Sequence, residues 1–268
     1  MQDILIRRAE SPADYRACQA AQGLAWGIRD ASYLVPVATM VGAQHHGGLV
    51  LGAFLPGGRA VGVSFAFLGK VDGRYCLYSQ LTGVVPGYQA IGLGRRLKYA
   101  QRDFCREQDL GLMAWAFDPC QQGNARFNLM KLGATVTRFL PNMYGPRTDD
   151  LNLGLPTDRL IAEWGIDDQP RPPISDADVH QVERVVVFGA DLLPSYRLPE
   201  APCVLLEIPQ GIVSLRAENP NLLSAWRSVV AEAFTSCFEQ GYRATGFVQI
   251  HENEGERSRA FYRMETGT

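Results

Sequence analysis

Two rhythms of apolar residues run along the chain, one of period two and one of helical period, and together they lay out a mixed α/β molecule. Ile4-Leu5-Ile6-Arg7 reads as a short strand. Ser11-Pro12-Ala13-Asp14 is a helix start, with a capping hydroxyl, a first-turn proline and an acid toward the dipole. That helix runs to about Trp26 and stops at Gly27, and Tyr33 to Val41 reads as a second helix. Leu49–Leu55 and Ala60–Leu68 form a hairpin around Pro56-Gly57-Gly58, and with the strand ending at Val85 they make an antiparallel meander. Leu93, Leu97, Ala100 and Phe104 are spaced 4, 3 and 4, one helical stripe, leaving Arg95, Arg96, Lys98, Arg102 and Arg106 for the other sides. Leu112–Phe117 follows as a strand and Gln121–Leu132 as a helix closed by Gly133. Residues 134–145 and 157–166 complete the core sheet. After the stiff polar linker Asp167–Pro173 come strands Val182–Phe188 and Val204–Ile208, a helix from about Asn221 to Gln240, strand Thr245–Ile250 and a last strand near Phe261. The expected domains are 1–166 and a C-terminal strand–helix–strand extension, 167–268, either a degenerate half-repeat or an extension of the sheet on the acceptor side.

The stretch between the strand ending at Val85 and the striped helix carries the chemistry: Val84-Val85-Pro86-Gly87-Tyr88-Gln89-Ala90-Ile91-Gly92-Leu93-Gly94-Arg95. A glycine-rich loop entering a helix leaves backbone N–H groups unpaired at the positive end of the helix dipole, which is an anion site suited to phosphate. A P-loop would need Gly-Lys-Ser/Thr, and Gly94-Arg95-Arg96 does not supply it. A dinucleotide fold would need Gly-x-Gly-x-x-Gly against the strand end. Here Leu97 takes the third place and several residues separate Val85 from Gly92, although Asp118 falls about where a ribose-binding acid would.

The third pattern, Gln89-x-x-Gly92-x-Gly94 after a strand ending in Val-Val-Pro, resembles the pyrophosphate loop of the GNAT superfamily of acyl-CoA-dependent N-acyltransferases. Lys131-Leu132-Gly133 fits the same superfamily. Phe117-Asp118-Pro119, Asn124 to Asn128, Asn142-Met143-Tyr144-Gly145 and Leu151-Asn152 through Thr157-Asp158-Arg159 resemble one branch of it, bacterial and archaeal proteins of about this length mostly known as predicted acetyltransferases. The resemblance covers about residues 4–166, the rest more loosely. It implies a mixed, mostly antiparallel central sheet flanked by helices, parted between the strands ending at Val85 and Phe117. The pantetheine arm of acetyl-CoA or another acyl-CoA would lie along Gly83, Val84 and Val85. Its pyrophosphate would rest on the amides of Gln89, Ala90, Ile91, Gly92, Leu93, Gly94 and Arg95. Asn124 and Asn128 would hold the pantetheine amides, although Asn124 could equally be a helix cap. Gly83 suits a strand bulge.

The superfamily's usual general acid is a tyrosine where this chain has Leu129, so Tyr144 is the substitute candidate, with structural packing as its other reading. Asp118, held extended before Pro119, is the leading base candidate. Glu163 and Glu207 rank below it, and a water chain is an alternative. A succinyl donor would want one of Arg126, Arg138, Arg147 or Arg159. The expected acceptor is the amine of a small molecule or amino acid. An acyl-CoA sensor or scaffold without turnover is the competing reading, motivated by Leu129.

Composition adds bounds. With 268 residues, 46% hydrophobic and 20% charged, the chain is ordinary globular material. A net charge of −2 gives no reason to expect nucleic acid or a membrane surface as partner. Six cysteines without a C-x-x-C pair read as scattered thiols of a reducing cytoplasm, and no secretion leader is evident. Adjacent His45 and His46 have no third ligand in spacing and read as a loop, so no metal is expected. Trp26 and Tyr33 read as packing residues. The strand-rich C-terminal part could serve a homodimer.

Overall fold

The structure is a computed structural model that describes residues 3–146, 155–173, 179–189, 193–251 and 258–267, without the side chains of residues 90 and 251. Two compact units are present: residues 1–115, 145–156 and 165–167 make the first, and residues 116–144, 157–164 and 168–268 the second. The units therefore do not divide at residue 166, where the sequence places the boundary.

In the first unit the strands are β1 (Leu5–Arg8), β2 (Leu49–Phe54), β3 (Ala60–Val71), β4 (Arg74–Val84) and the first four residues of β5 (Leu112–Phe117). They are hydrogen-bonded in chain order. β1 to β4 are antiparallel to their neighbours, and β4 with β5 is the parallel pair. Helix α1 (Pro12–Trp26) has a complete capping box between Ser11 and Asp14 and ends on Gly27 in the left-handed conformation. Arg7 grips the Asp14 carboxylate at 2.8 Å through both nitrogens and holds its pKa well below the carboxylate range. The second helix, α2 (Val37–His45), starts later than expected because Pro36 ends the preceding turn, and a 3-10 turn fills Ala31–Tyr33. His45 and His46 are the last turn and cap of α2 rather than a loop. Helix α3 (Leu93–Glu107) crosses from β4 to β5.

The β4 bulge lies at Gln80, because Phe65 and Ala66 of β3 face Leu81 and Ser79. Gly83 is therefore not the bulge. A Cβ there would run into the Trp26 indole and approach Ala25 Cβ at 3.0 Å, so the glycine lets the end of α1 lie flat on β4. Trp26 is a packing residue, as expected.

In the second unit, helix α4 (Gln122–Arg126) runs into a single π-helical turn, Phe127–Leu132, closed by Gly133 in the left-handed conformation. β6 (Thr135–Leu140) pairs antiparallel with β7 (Arg159–Gly165) and, at Val136↔Ala244, with β12 (Tyr242–His251). β12 pairs with β13 (Ser258–Thr266), β13 with β11 (Cys203–Ile208), and β11 in parallel with the short β8 (Glu183–Arg184). β9 (Val186–Phe188) and β10 (Pro194–Tyr196) form a separate two-stranded ribbon, so the strand expected over Val182–Phe188 is broken in two. Helices α5 (Ile212–Glu218) and α6 (Pro220–Glu239) connect β11 to β12. Tyr262 centres the core, edge-on to Phe234 at 5.0 Å and to Phe247 at 5.4 Å. Because β12 pairs with β6, the C-terminal segment extends the sheet of β6 and β7. Arg147 and the stretch from Leu151 to Gly154 lie outside the described residues. Among the described residues no helix is long and apolar enough to cross a membrane.

Candidate functional site

Within the first unit, the candidate site is built on the stretch of chain from Gly83 to Arg95. Val85 N–H donates to Val61 O at 2.9 Å on β3. By the alternation of a strand, the Val84 N–H points to the opposite edge, toward β5. β5 uses little of that edge: the two strands pair only at Leu77↔Met113 and Tyr78↔Ala114, immediately before the Gln80 bulge. From Ser79 onward β4 runs on without that partner. The chain then turns through Pro86 and Gly87, and a 3-10 turn, Gln89–Ile91, leads to Gly92. Gln89 Nε2 donates back to Val84 O at 3.2 Å and ties the loop to the strand end.

Gly92 stands at the α3 N-cap with φ 72°, and no side chain caps the helix. The first-turn N–H groups are thus left to solvent or a ligand, where the dipole favours an anion. A Cβ at Gly92 would meet nothing within 4 Å and one at Gly94 only Val84 Cγ2 at 4.0 Å, so the space in front of the loop is open. Arg95 is exposed and forms no ion pair among the described residues. Arg96 is instead turned to Ile4 O at 2.9 Å.

Sequence periodicity missed the polar face beneath this edge. Lys98, expected on an outer side of α3, is 5% exposed, and Gln101 is fully buried. They share one helical face with Leu93, Leu97, Phe104 and Cys105, because positions 93, 97, 98, 101, 104 and 105 line up at 3.6 residues per turn. Lys98 Nζ lies 3.0 Å from Ser79 Oγ and 3.8 Å from the centre of the Trp115 ring. Gln101 holds the same hydroxyl at 3.1 Å. Ser79 Oγ lies 3.4 Å from Thr82 Oγ1, which is 3.0 Å from Ser64 Oγ. Burial pulls the Lys98 pKa from 10.5 down to about 7.

In the second unit the expected residues fall into separate settings. Asp118 makes a bidentate ion pair with Arg227 of α6, at 3.0 and 2.8 Å, and accepts from Cys120 N at 2.8 Å. Arg227 is 4% exposed at its side chain. Next to it, Pro119 O accepts from the buried Tyr262 hydroxyl at 2.7 Å. A carboxylate held on both oxygens is a structural tie rather than a free proton acceptor. Glu207 is likewise gripped by Arg259, and Glu163 accepts from Thr137 Oγ1 at 2.7 Å.

Asn124 is exposed on α4, and Gln121 takes the cap position, so the helix-cap reading of Asn124 is not realised. Asn128 sits in the π turn, 4% exposed, with no side-chain hydrogen bond among the described residues. Leu129 is 1% exposed and packs in the core. Tyr144 is 37% exposed, and its hydroxyl has no partner among the described residues, so the packing reading fails for it. Its backbone is fixed by a knot: Tyr144 N donates to Thr157 Oγ1 at 2.9 Å, Asn142 Oδ1 accepts from Thr157 N at 3.2 Å, and Asn142 N donates to Asp158 at 3.0 Å. The Arg159 guanidinium lies 5.4 Å from its ring centre. The Asn142–Gly145 and Thr157–Arg159 sequence motifs are thus the two halves of one turn. None of the six cysteines is in a disulfide among the described residues, and burial raises the Cys18 and Cys105 thiols to about 12 and Cys237 to about 11, which keeps them protonated and unreactive.

No family model and no curated protein matches the chain. Among solved structures it is similar to the ribosomal-protein alanine N-acetyltransferase from Escherichia coli, at 19% identity over 65% of this chain and 100% of that one, with a TM-score of 0.46. A GNAT family acetyltransferase from Elizabethkingia anophelis with acetyl-CoA bound is 14% identical over 62% and 99% of the two chains, TM-score 0.45. Arabidopsis thaliana Naa50, in complex with a bisubstrate analogue of CoA and an acetylated peptide, is 18% identical over 60% and 97%, TM-score 0.46.

Two stability measurements check these assignments. Arg227→Met leaves the Asp118 carboxylate buried without its partner and is expected to lower unfolding free energy by about 3–5 kcal/mol in urea melts. The Asp118→Asn/Arg227→Met pair should lose clearly less, whereas equal losses would mean the ion pair is not coupled. Lys98 gives a pH signature. Below about pH 7 both folded and unfolded chains hold its proton, and the full penalty of burying the charge is present. Between about 7 and 10.5 only the unfolded chain holds it, so wild-type stability rises with pH. Lys98→Met should therefore raise the melting temperature most at pH 6–7, with the advantage shrinking by pH 9. A constant difference across that range would refute the burial effect.

Proposed function

We propose that this chain is an acyl-CoA-dependent N-acyltransferase of the GNAT type, moving an acetyl group from acetyl-CoA to an amine. The observation that carries the reading is the free edge of β4. After Tyr78 the strand has no β5 partner, its Val84 N–H faces that edge, and it leads directly into an uncapped, glycine-opened helix N-terminus. A ligand that fits must pair with a strand edge at one end and present phosphates at the other, and the pantetheine–pyrophosphate arm of CoA does both. The amides of Gln89–Arg95 would take the pyrophosphate and Arg95 its residual charge. Asn124 and Asn128 would take pantetheine amides, and the buried Asn128 side chain makes no hydrogen bond among the described residues.

The reaction requires a neutral amine, a stabilised oxyanion and a protonated leaving thiolate. As the N–C bond forms and the C–S bond breaks, the Val84 N–H would meet the oxyanion, a contact whose loss elsewhere costs about 3–4 kcal/mol. Tyr144 is the proton donor we assign to the thiolate, since the residue is exposed, its hydroxyl has no partner among the described residues, and its backbone is pinned. Asp118 is reassigned to holding α6 through Arg227. The acceptor we propose is the amine of a small molecule or amino acid.

The test is free-thiol release from acetyl-CoA and succinyl-CoA against amino acids, polyamines and peptide N-termini, with CoA-induced thermal shift on the same samples. Release with one acceptor class establishes the transferase and names its substrate. A shift with no release favours an acyl-CoA binder, and no shift removes the loop assignment. Gly94→Glu, at a site with room for a side chain and ordinary backbone, should weaken CoA binding at least about tenfold by placing a carboxylate at the helix N-terminus, with little change in melting temperature. Tyr144→Phe should lower kcat with little effect on KM. An unchanged kcat would exclude Tyr144 as the donor.

A further inference from the structure

With Asp118, Glu163 and Glu207 each engaged, no carboxylate from the sequence reading is free to deprotonate the acceptor. The buried network under β4 offers another route. Lys98 forms no ion pair among the described residues, and its one hydrogen-bond partner there is Ser79 Oγ at 3.0 Å. The titratable groups around it are the Cys105 thiol of α3 and, beside that, Cys76 of β4, both thiols rather than carboxylates. β5 presents the Trp115 ring and β3 presents Ser64, neither of which titrates. A lysine so placed is neutral for much of the time near neutral pH, and its lone pair can accept a proton. From Ser79 the hydroxyl chain continues to Thr82 Oγ1 at 3.4 Å. Thr82 is only half-buried, and it lies on the unpartnered length of β4, two residues before Val84.

We propose that Lys98 is the proton acceptor for the incoming amine, reached from the free edge of β4 through the hydroxyls of Thr82 and Ser79. The inference rests on the acyl-transfer reading above. The acceptor ammonium gives one proton to Thr82 Oγ1, Thr82 passes its own to Ser79 Oγ, and Ser79 passes its own to the Lys98 amine, which becomes ammonium. The freed amine attacks the thioester. Its second proton, lost as the N–C bond forms and the C–S bond breaks, ends on the thiolate. Lys98 then releases its proton to water along the same path, so that one proton is liberated per acyl group transferred.

The chain has only three lysines, Lys70, Lys98 and Lys131, so the side chain can be followed individually. Protein labelled with 13C-lysine is titrated by NMR from pH 5 to 11, and Lys98→Met assigns the signal. The same preparations are assayed for thiol release across pH 6–9, using the best acceptor, or water as acceptor if no amine serves. One lysine titrating near 7 is expected. Thr82→Val, which keeps the shape of the side chain, should leave that midpoint in place and slow release about tenfold. Lys98→Met should slow it about 100-fold and flatten the acid limb of the pH–rate profile. A Lys98 midpoint above 9, or wild-type rate profiles in both variants, would overturn the relay. A midpoint near 7 without any CoA-induced thermal shift would instead remove the acyl-transfer reading, and with it the role given to Lys98. A midpoint above 9 with a clear CoA shift would remove Lys98 alone.

Discussion

The candidate site depends on a strand that stops pairing. β4 and β5 are parallel neighbours for two residue pairs, and then an extra residue, Gln80, bends β4 away. A bulge increases twist and re-aims the backbone, so everything beyond it is offered to something other than the next strand. An unpaired edge inside a sheet is costly unless another group meets its N–H and C=O donors and acceptors. Beside the parting, Lys98 and Gln101 of α3 reach the Ser79 hydroxyl of β4, and Lys98 also lies against the Trp115 ring of β5. The glycine loop matters because it sits at the end of that edge. Under the proposed reading, a phosphate at the helix N-terminus and an extended arm along β4 would be parts of one ligand.

The second unit shows what happens when the same element order is closed. There too a strand, β11, ends in a proline–glycine turn, Pro209 to Gly211, and a helical crossover leads to the next strand, β12. Between β11 and β12, however, β13 inserts antiparallel and pairs with both over most of their lengths. No backbone edge is left over at that place, and α5, a short helix of seven residues, follows the turn in place of a long glycine-opened one. This explains how the C-terminal segment can echo the strand–helix–strand order of the first unit and still act as an extension of its own sheet.

The Asp118–Arg227 pair illustrates how a motif can mislead about chemistry. Asp before Pro at a strand end is a good place for a base, and the residue is indeed nearly buried. The tertiary fold brings α6 from more than a hundred residues away and places a guanidinium across both oxygens. With Pro119 bonded to Tyr262, the whole Phe117-Asp118-Pro119 motif reads as the joint between α4 and the C-terminal helix and strand. The Asn142-Met143-Tyr144-Gly145 motif is the opposite case, since its hydrogen bonds serve to present one side chain to solvent.

Local signals were enough to place most elements: the capping box at Ser11, the left-handed glycines at 27 and 133, the hairpin at Pro56 and the glycine loop at Gly92 each act within a few residues of themselves. That is why the meander, α3 and the glycine turn before it were legible from the chain alone. The limits were pairings between distant segments. The bulge falls at Gln80 rather than Gly83 because register is decided by β3, and Gly83 answers instead to Trp26, 57 positions earlier in the chain. Lys98 looked like a surface residue because a charged side chain biases any helical-wheel reading outward, whereas the breadth of the buried face of α3 is set by how β4 and β5 separate. Asp118 could be recognised as important but not as paired. Sequence determined which backbone turn the glycines open into an uncapped helix; only the tertiary structure decided which side chains carry charges already paired, because that depends on which charges the fold brings within reach of one another.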